Sequence, residues 1–310
     1  MIEYNTKNWF RHVIEFRKAD TLRILLPEMV IVALYTAAIA AAEDYWFGPT
    51  DQDGNAGIYQ AFRNTTVMHS LLGFVLSLLV VFRTNTAYDR WWEGRKLWGA
   101  LVNTSRNLSI KIHALLPAEC DADRVFFQNA IPDYCFALKG HLRGSIDFNE
   151  LTLDGSVREK IEGWEHTPNG YILFMYRRVK ELLTSNRITN EEFIILDQQL
   201  QSFADIQGGC ERILKTPIPF TYNIFLKKFI FFYILTLPLG FVAYFGYWAV
   251  PISVFVFYVL VSMEIIAEEI EDPFGTDAND LPTDAIAETI RLNVNEIFQD
   301  DVSPTLQQMI

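Results

Sequence analysis

From Phe229 to Met263 the chain contains no Asp, Glu, Lys or Arg. A helix crossing a bilayer takes about 20 apolar residues, so this run is too long for one crossing. Tyr247-Trp248-Ala249-Val250-Pro251 lies near its middle. Aromatic rings favour the membrane–water interface, and proline cannot continue a helix interior. The run therefore reads as two spans joined by an interfacial turn. Two other stretches have the same character: Ile24 to Ala42, whose only charge is Glu28, and Asn64 to Phe82, bounded by Arg63 and Arg83. Buried helices of a soluble enzyme are the alternative for any one stretch. Four such interiors of span length argue against it for the whole chain.

The remaining sequence is polar enough for a folded portion outside the membrane. Of 310 residues, 50% are hydrophobic and 21% charged, enough for one large domain or two modest ones beside the spans. The net charge of −12 argues against a nucleic-acid partner. Cys120, Cys135 and Cys210 are widely spaced with no zinc pattern, which fits buried thiols in a reducing compartment. His113, His141 and His166 are scattered along the sequence. The chain begins without a basic region running straight into an apolar core, so the first stretch is expected to be a retained span.

Basic residues near span ends report orientation. Lys7, Arg11, Arg17, Lys18 and Arg23 precede the first span, whereas Glu43, Asp44, Asp51 and Asp53 lie between the first two with Arg63 the only basic residue. Arg83, Arg90, Arg95 and Lys96 follow the second, and Lys227 and Lys228 precede the third. Both termini and the middle segment are thus expected in the cytoplasm of a multi-pass protein of the cell (inner, plasma) membrane. The expected organisation is an N-terminal cytoplasmic segment (1–23), spans one and two (24–82), a helical cytoplasmic domain (83–228), spans three and four (229–267) and a cytoplasmic tail (268–310). Within the middle domain the pattern predicts helices at Trp92–Leu115, at Asp121–Ile146 capped by Asp121 or Asp123 and kinked at Pro132, at Gly170–Ser185, and at Asn190–Gln207 capped by Thr189 or Asn190 and stopped by Gly208-Gly209. The stretch Phe148–Gly163 reads as a loop with a short helical piece, and an amphipathic helix is expected after Asp280.

Span two carries one informative stripe. Phe74, Leu78 and Phe82 recur every four residues and share a helix face, which Thr66 and Ser70 continue towards the outside. Copies ringing an axis with this stripe inward would form a wet outer vestibule closing to a hydrophobic constriction that gates by dewetting. The alternative is that the stripe packs against other spans. The arginines and tryptophans that follow suit the inner interface. Arg83, Asp89, Arg90, Glu93 and Arg95 are placed to form an ion-pair lattice joining span to domain. After span four, Glu264, Glu268, Glu269, Glu271, Asp272, Asp277 and Asp280 surround Gly275. Such carboxylates suit a hard cation such as Ca²⁺, though not in the spacing of an EF-hand; a helix end followed by an Asp-closed turn is the alternative.

Three motifs together resemble the bacterial branch of the bestrophins: Arg83 to Gly99 with its tryptophans; Gly208-Gly209-Cys210-Glu211-Arg212 followed by Thr216-Pro217-Ile218-Pro219-Phe220; and Glu271-Asp272-Pro273-Phe274-Gly275. The resemblance runs from about Trp9 to the tail helix. It implies an all-α integral membrane protein with four transmembrane helices per chain and a helical cytoplasmic domain, assembled as a homopentamer around one central pore. It implies that Phe74, Leu78 and Phe82 are the pore neck, and that a second, cytoplasmic aperture falls at Glu191. Family members often carry a branched apolar residue there, and a ring of carboxylates would attract cations. Animal bestrophins are Ca²⁺-activated anion channels whose acidic clasp follows the Pro-Phe-Gly motif. This chain keeps Asp277 and Asp280 of that run with Ala278 and Asn279 between them, so Ca²⁺ ligation stays open there, and bacterial relatives generally resemble clasp-less, cation-conducting channels.

The expectation is a passive channel for small monovalent ions, cations favoured, whose partners are its own copies, the lipid bilayer and the permeant ions. It needs no cofactor and performs no catalytic step. A chloride or other anion channel, Ca²⁺-modulated as in the animal branch, is the alternative; a non-conducting membrane scaffold is a third reading. Glu28, one turn from the inner end of span one, is expected at the interface or between helices, and His69 is expected to be structural.

Overall fold

The structure, a computed structural model, describes residues 21–46, 56–152, 160–161 and 163–299. The basic cluster Lys7, Arg11, Arg17 and Lys18, the acidic Asp51 and Asp53, and residues 300–310 lie outside them. The elements are α1 (Thr21–Trp46), α2 (Ala56–Leu115), α3 (Asp121–Leu142), α4 (Thr167–Thr184), α5 (Asn190–Lys215), α6 (Phe220–Phe245), α7 (Ala249–Glu271) and α8 (Thr283–Gln299). Single 3-10 turns lie at Phe148–Glu150 and Gly246–Trp248, and no strand occurs among the described residues. Three stretches are long and apolar enough to cross a membrane: Thr21–Tyr45, Thr65–Leu115 and Phe220–Glu271.

The last of these is the expected hairpin, with its turn one step earlier than the aromatic and proline signals suggested. The chain leaves α6 through Gly246 at φ 53°, a left-handed conformation that glycine adopts without strain. Pro251 lies in the first turn of α7, where its missing N–H leaves no helical bond unmade. Span two and the helix expected at Trp92–Leu115 are one uninterrupted helix, α2, with no proline in it.

The chain divides into two compact units. The first holds the described residues up to Arg90 and Pro217–Glu271. Here α7 packs on α1 and α6, and α1 packs on α6. Leu76 and Val80 of α2 bury against Leu226, Ile230 and Ile234 of α6. Small residues allow this approach: a Cβ on Gly240 would collide with Thr65 Oγ1, and one on Gly73 would sit 2.8 Å from the Tyr233 hydroxyl. Polar groups are spent between helices. Tyr35 donates to the Leu235 carbonyl at 2.9 Å, and Tyr222 to that of Leu79 at 3.1 Å. His69 is buried, with Nδ1 2.9 Å from the Thr65 carbonyl and Nε2 3.0 Å from Thr236 Oγ1, the structural part expected of it. Glu28 is exposed on α1.

The second unit holds Trp91–Thr216 and the described residues from Asp272 onward. Trp98, Leu101, Leu108, Phe127, Tyr134, Met175, Leu200 and Phe203 form a dry core between α2, α3, α4 and α5, joined by Ala287 and Val294 of α8. Tyr134 fits because its hydroxyl donates to the Phe203 carbonyl at 2.9 Å. The three cysteines are free and buried. Burial pushes the thiols of Cys135 and Cys210 up to about 12, so they stay protonated and inert.

Local signals set most helix ends. Thr189 caps α5 and Glu192 returns the bond to the Thr189 amide at 2.7 Å, a complete capping box. Neither Asp121 nor Asp123 caps α3: both lie in its first turn, where their charge complements the helix dipole, and Cys120 is the N-cap. Gly208-Gly209 does not stop α5, which runs on to Lys215. A Cβ on Gly209 would lie 2.9 Å from Leu97 Cδ2, so that glycine admits a neighbouring helix instead of ending its own.

Candidate functional site

On α2, residues His69, Leu76, Val80, Arg83 and Ala87 are buried and face their own chain. Phe74, Leu78 and Phe82 are on other faces, with 71%, 47% and 56% of their surface exposed. They form a charge-free stripe of large side chains over two turns of helix. Ser70 is exposed on the same line, its hydroxyl donating to the Thr66 carbonyl at 3.0 Å. Thr66 belongs to the stripe only in part: it is half-buried and its hydroxyl donates to the Gly240 carbonyl of α6 at 3.4 Å.

The stripe ends at a buried ion-pair hub. Arg83 follows Phe82 directly and is 1% exposed. Its guanidinium lies 2.7 Å from Glu271 Oε2 and 3.8 Å from Glu264 Oε2. Glu271 also accepts the Ile218 amide at 2.7 Å, and its carbonyl accepts Arg90 Nε at 3.0 Å. The lattice expected among Arg83, Asp89, Arg90, Glu93 and Arg95 is therefore built differently. Arg83 and Arg90 converge on α7, and Glu93 pairs with Arg212 of α5. The glutamates expected as cation ligands are largely taken by bases: Glu264 and Glu271 by Arg83, Glu268 by Lys227 at 3.0 Å. Sequence reading missed Glu264 and Glu271 as Arg83's partners, although two acids ending an apolar run were a signal that a buried base faces them.

The loop after α7 is held within the second unit. Pro273, Phe274 and Leu281 each approach within 3.2 Å of where a Cβ on Gly94 would be, so the tryptophan-rich motif and the Pro-Phe-Gly motif need each other's small and flat residues. Trp91 Nε1 donates to the Asn279 carbonyl at 3.0 Å. Asp280 is buried, and its Oδ2 accepts the Asp277 amide at 2.6 Å, closing the turn; Asp277 is exposed. Arg143 of α3 holds Asp284 of α8 by two bonds of 2.7 and 3.0 Å. Among the described residues the grouping of three or more His, Cys, Asp or Glu donors within ligand reach is His141, His166 and Glu211, so Asp277 and Asp280 are not joined by a third acidic donor.

Glu191 is exposed in the first turn of α5, and Glu192 rather than Glu191 closes the capping box. A carboxylate there favours the helix N-terminus whatever else it does.

The family profile described as Bacterial/Fungal Bestrophin protein matches residues 1–296. A voltage-dependent anion channel-forming protein of Mesorhizobium japonicum is 34% identical over 275 residues, covering 88% of this chain and 84% of that protein. One of the same description from Nostoc is 36% identical over 228 residues, covering 72% and 74%. The crystal structure of a bacterial bestrophin homologue from Klebsiella pneumoniae superposes with a TM-score of 0.78 at 28% identity, covering 89% of this chain and 99% of that one.

Proposed function

The chain belongs to the bacterial and fungal bestrophin family, and on that footing we propose that it is a membrane channel whose copies assemble into a ring with α2 lining the pore. The observation that carries this is the exposed, charge-free stripe of Phe74, Leu78 and Phe82. Large apolar faces that a chain leaves uncovered need lipid or another copy against them. With five copies, as the bestrophin resemblance implies, the stripes form a neck that sheds water when narrow and so gates without a charged group. Crossings by α1, the first part of α2, α6 and α7 make four spans with both termini on one side. Arg83, Arg90, Arg95, Lys96, Lys227 and Lys228 favour the cytoplasm for that side.

Small anions, chloride foremost, are the proposed permeant ions. The relatives described as voltage-dependent anion channel-forming proteins support this over the cation preference suggested by the sequence. The neck offers no charge, and Arg83 beneath it is matched by two acids, so selectivity has to arise elsewhere. One observation favours cations as a second reading: Glu191 is an exposed carboxylate, and a ring of them at the cytoplasmic aperture would repel anions. Ca²⁺ at Asp277 and Asp280 belongs to the anion reading only.

The deciding experiment is the reversal potential of purified protein in a planar bilayer under a KCl gradient, with and without Ca²⁺, repeated for Glu191→Ala and Leu78→Ala. Reversal near the Cl⁻ potential, with larger currents in Leu78→Ala, is the expected result. Reversal near the K⁺ potential that relaxes in Glu191→Ala would replace it with the cation reading. Silence of every variant would leave a membrane scaffold.

A further inference from the structure

In the second unit three side chains from different places converge: His141 in the last turn of α3, His166 at the N-cap of α4, and Glu211 in α5. One donor atom from each lies within 4.8 Å of the others. Nε2 of His166 is 2.8 Å, and Nε2 of His141 3.7 Å, from the same oxygen, Oε1 of Glu211. Nitrogen and oxygen ligands at about 2.0–2.2 Å around a tetrahedral zinc ion lie about 3.3 Å from one another. The two measured separations bracket that value.

A simple ion pair does not account for this arrangement. One imidazole satisfies the carboxylate oxygen; the second ring is held 4.2 Å from the first, centroid to centroid, where two charged rings would repel. The buried Nδ1 of His166 has no hydrogen-bond partner, so the ring is held by its Nε2 side. Burial, and then His166, lower the His141 imidazole, while Glu211 pulls it the other way. Burial lifts the Glu211 carboxyl, but hydrogen bonding from His166 outweighs it, with Gln207 and Lys215 adding to the pull. Gln207 orients that carboxylate: its Nε2 donates to Oε1 at 3.0 Å and to Asn169 Oδ1 at 2.7 Å. This is the kind of supporting bond that fixes metal ligands. Lys215 approaches the other oxygen, Oε2, at 3.5 Å and is mostly exposed, so it can swing away from an incoming cation.

We propose that His141, His166 and Glu211 form a binding site for a divalent transition metal of the zinc class, with the remaining coordination position open. The ion would clamp the end of α3 and the start of α4 to α5. The site does not depend on the channel reading and is tested without measuring current.

Full-length protein, purified in detergent and stripped with a chelator, is titrated with Co²⁺ followed by visible absorption, then with ZnCl₂ in competition. The expected result is one equivalent per chain and a Zn²⁺-dependent rise in melting temperature. Glu211→Gln, which keeps a partner for Gln207, and His141→Ala each weaken binding at least about tenfold. Glu119→Gln, at an exposed carboxylate just before the opposite end of α3, leaves it unchanged. Absence of Co²⁺ absorption and of any Zn²⁺ effect on melting overturns the proposal. So does binding that survives in Glu211→Gln of unchanged elution volume.

Discussion

In the second unit Trp98, Leu101, Leu108, Tyr134 and Phe203 have no exposed surface, whereas in the first Leu34, Phe74, Phe231 and Phe255 stand more than half exposed. Both units are helical and rich in aromatic residues. The second removes its large side chains from water by packing them on one another, and its stability is internal. The first packs one face of each helix on its neighbours and leaves the others apolar, so its fold is completed by what surrounds it. Between its own helices it relies on glycine contacts and on polar bonds that have no water to compete with them.

This contrast has measurable edges. The largest effect is expected where the first unit depends on itself. Arg83→Ala strands Glu264 and Glu271 without their base, at a cost of about 3–5 kcal/mol, read by chemical denaturation in detergent. An unchanged midpoint would mean that the hub contributes nothing to folding. In the second unit Phe203→Ala is expected to cost about 3–5 kcal/mol, because Phe203 packs edge-on to Tyr134 at 4.9 Å in a closed core. Phe255→Ala in the first unit, the same chemical change on an open face, is expected to stay within about 0.5 kcal/mol in micelles. Similar losses for the two phenylalanines would erase the distinction.

An effect between those of the two phenylalanines is expected at Gly240→Ala. The added methyl meets Thr65 Oγ1 and comes within 3.3 Å of the Thr66 amide nitrogen, so α2 and α6 must separate, at about 1–3 kcal/mol by thermal melting. The smallest is at the surface of the second unit. Hydrogen bonding from Arg143 pulls the Asp284 carboxyl down to about 2, partial burial pushes back, and Lys139 adds to the pull. A carboxyl depressed in the folded state stabilises it above the ordinary value of 3.8, and that contribution fades as pH falls through about 2. Asp284→Asn is therefore expected to lower the melting temperature slightly at neutral pH. The gap from wild type should close between pH 3.8 and about 2.

The apolar helices and the hairpin were legible because a charge-free run of such length has few other uses, and the stripe on α2 because a period of four survives any context. The capping box at Thr189 was local and could be read directly. Gly208-Gly209 misled because a glycine pair signals a helix end only when nothing needs to approach it; here Leu97 does, from a residue far away in the chain. The convergence of Arg83 with Glu264 and Glu271, and of His141 and His166 with Glu211, depends on tertiary approach between distant segments. Scattered histidines carry no trace of it in their spacing.

Arg83 and Glu271 are separated by 188 positions. At about 5–20 residues per second, a ribosome delivers the glutamate about 10–40 s after the arginine. The capping box of Thr189 and Glu192 has its partners only 3 positions apart and can close almost as soon as it is made. For most of that interval the guanidinium of Arg83 has to wait in headgroups or water, because neither Glu264 nor Glu271 of α7 yet exists to receive it. The bond that completes the first unit is thus among the last made in the life of a nascent chain, and a chain cut short before Glu264 would be left with a cation it cannot bury.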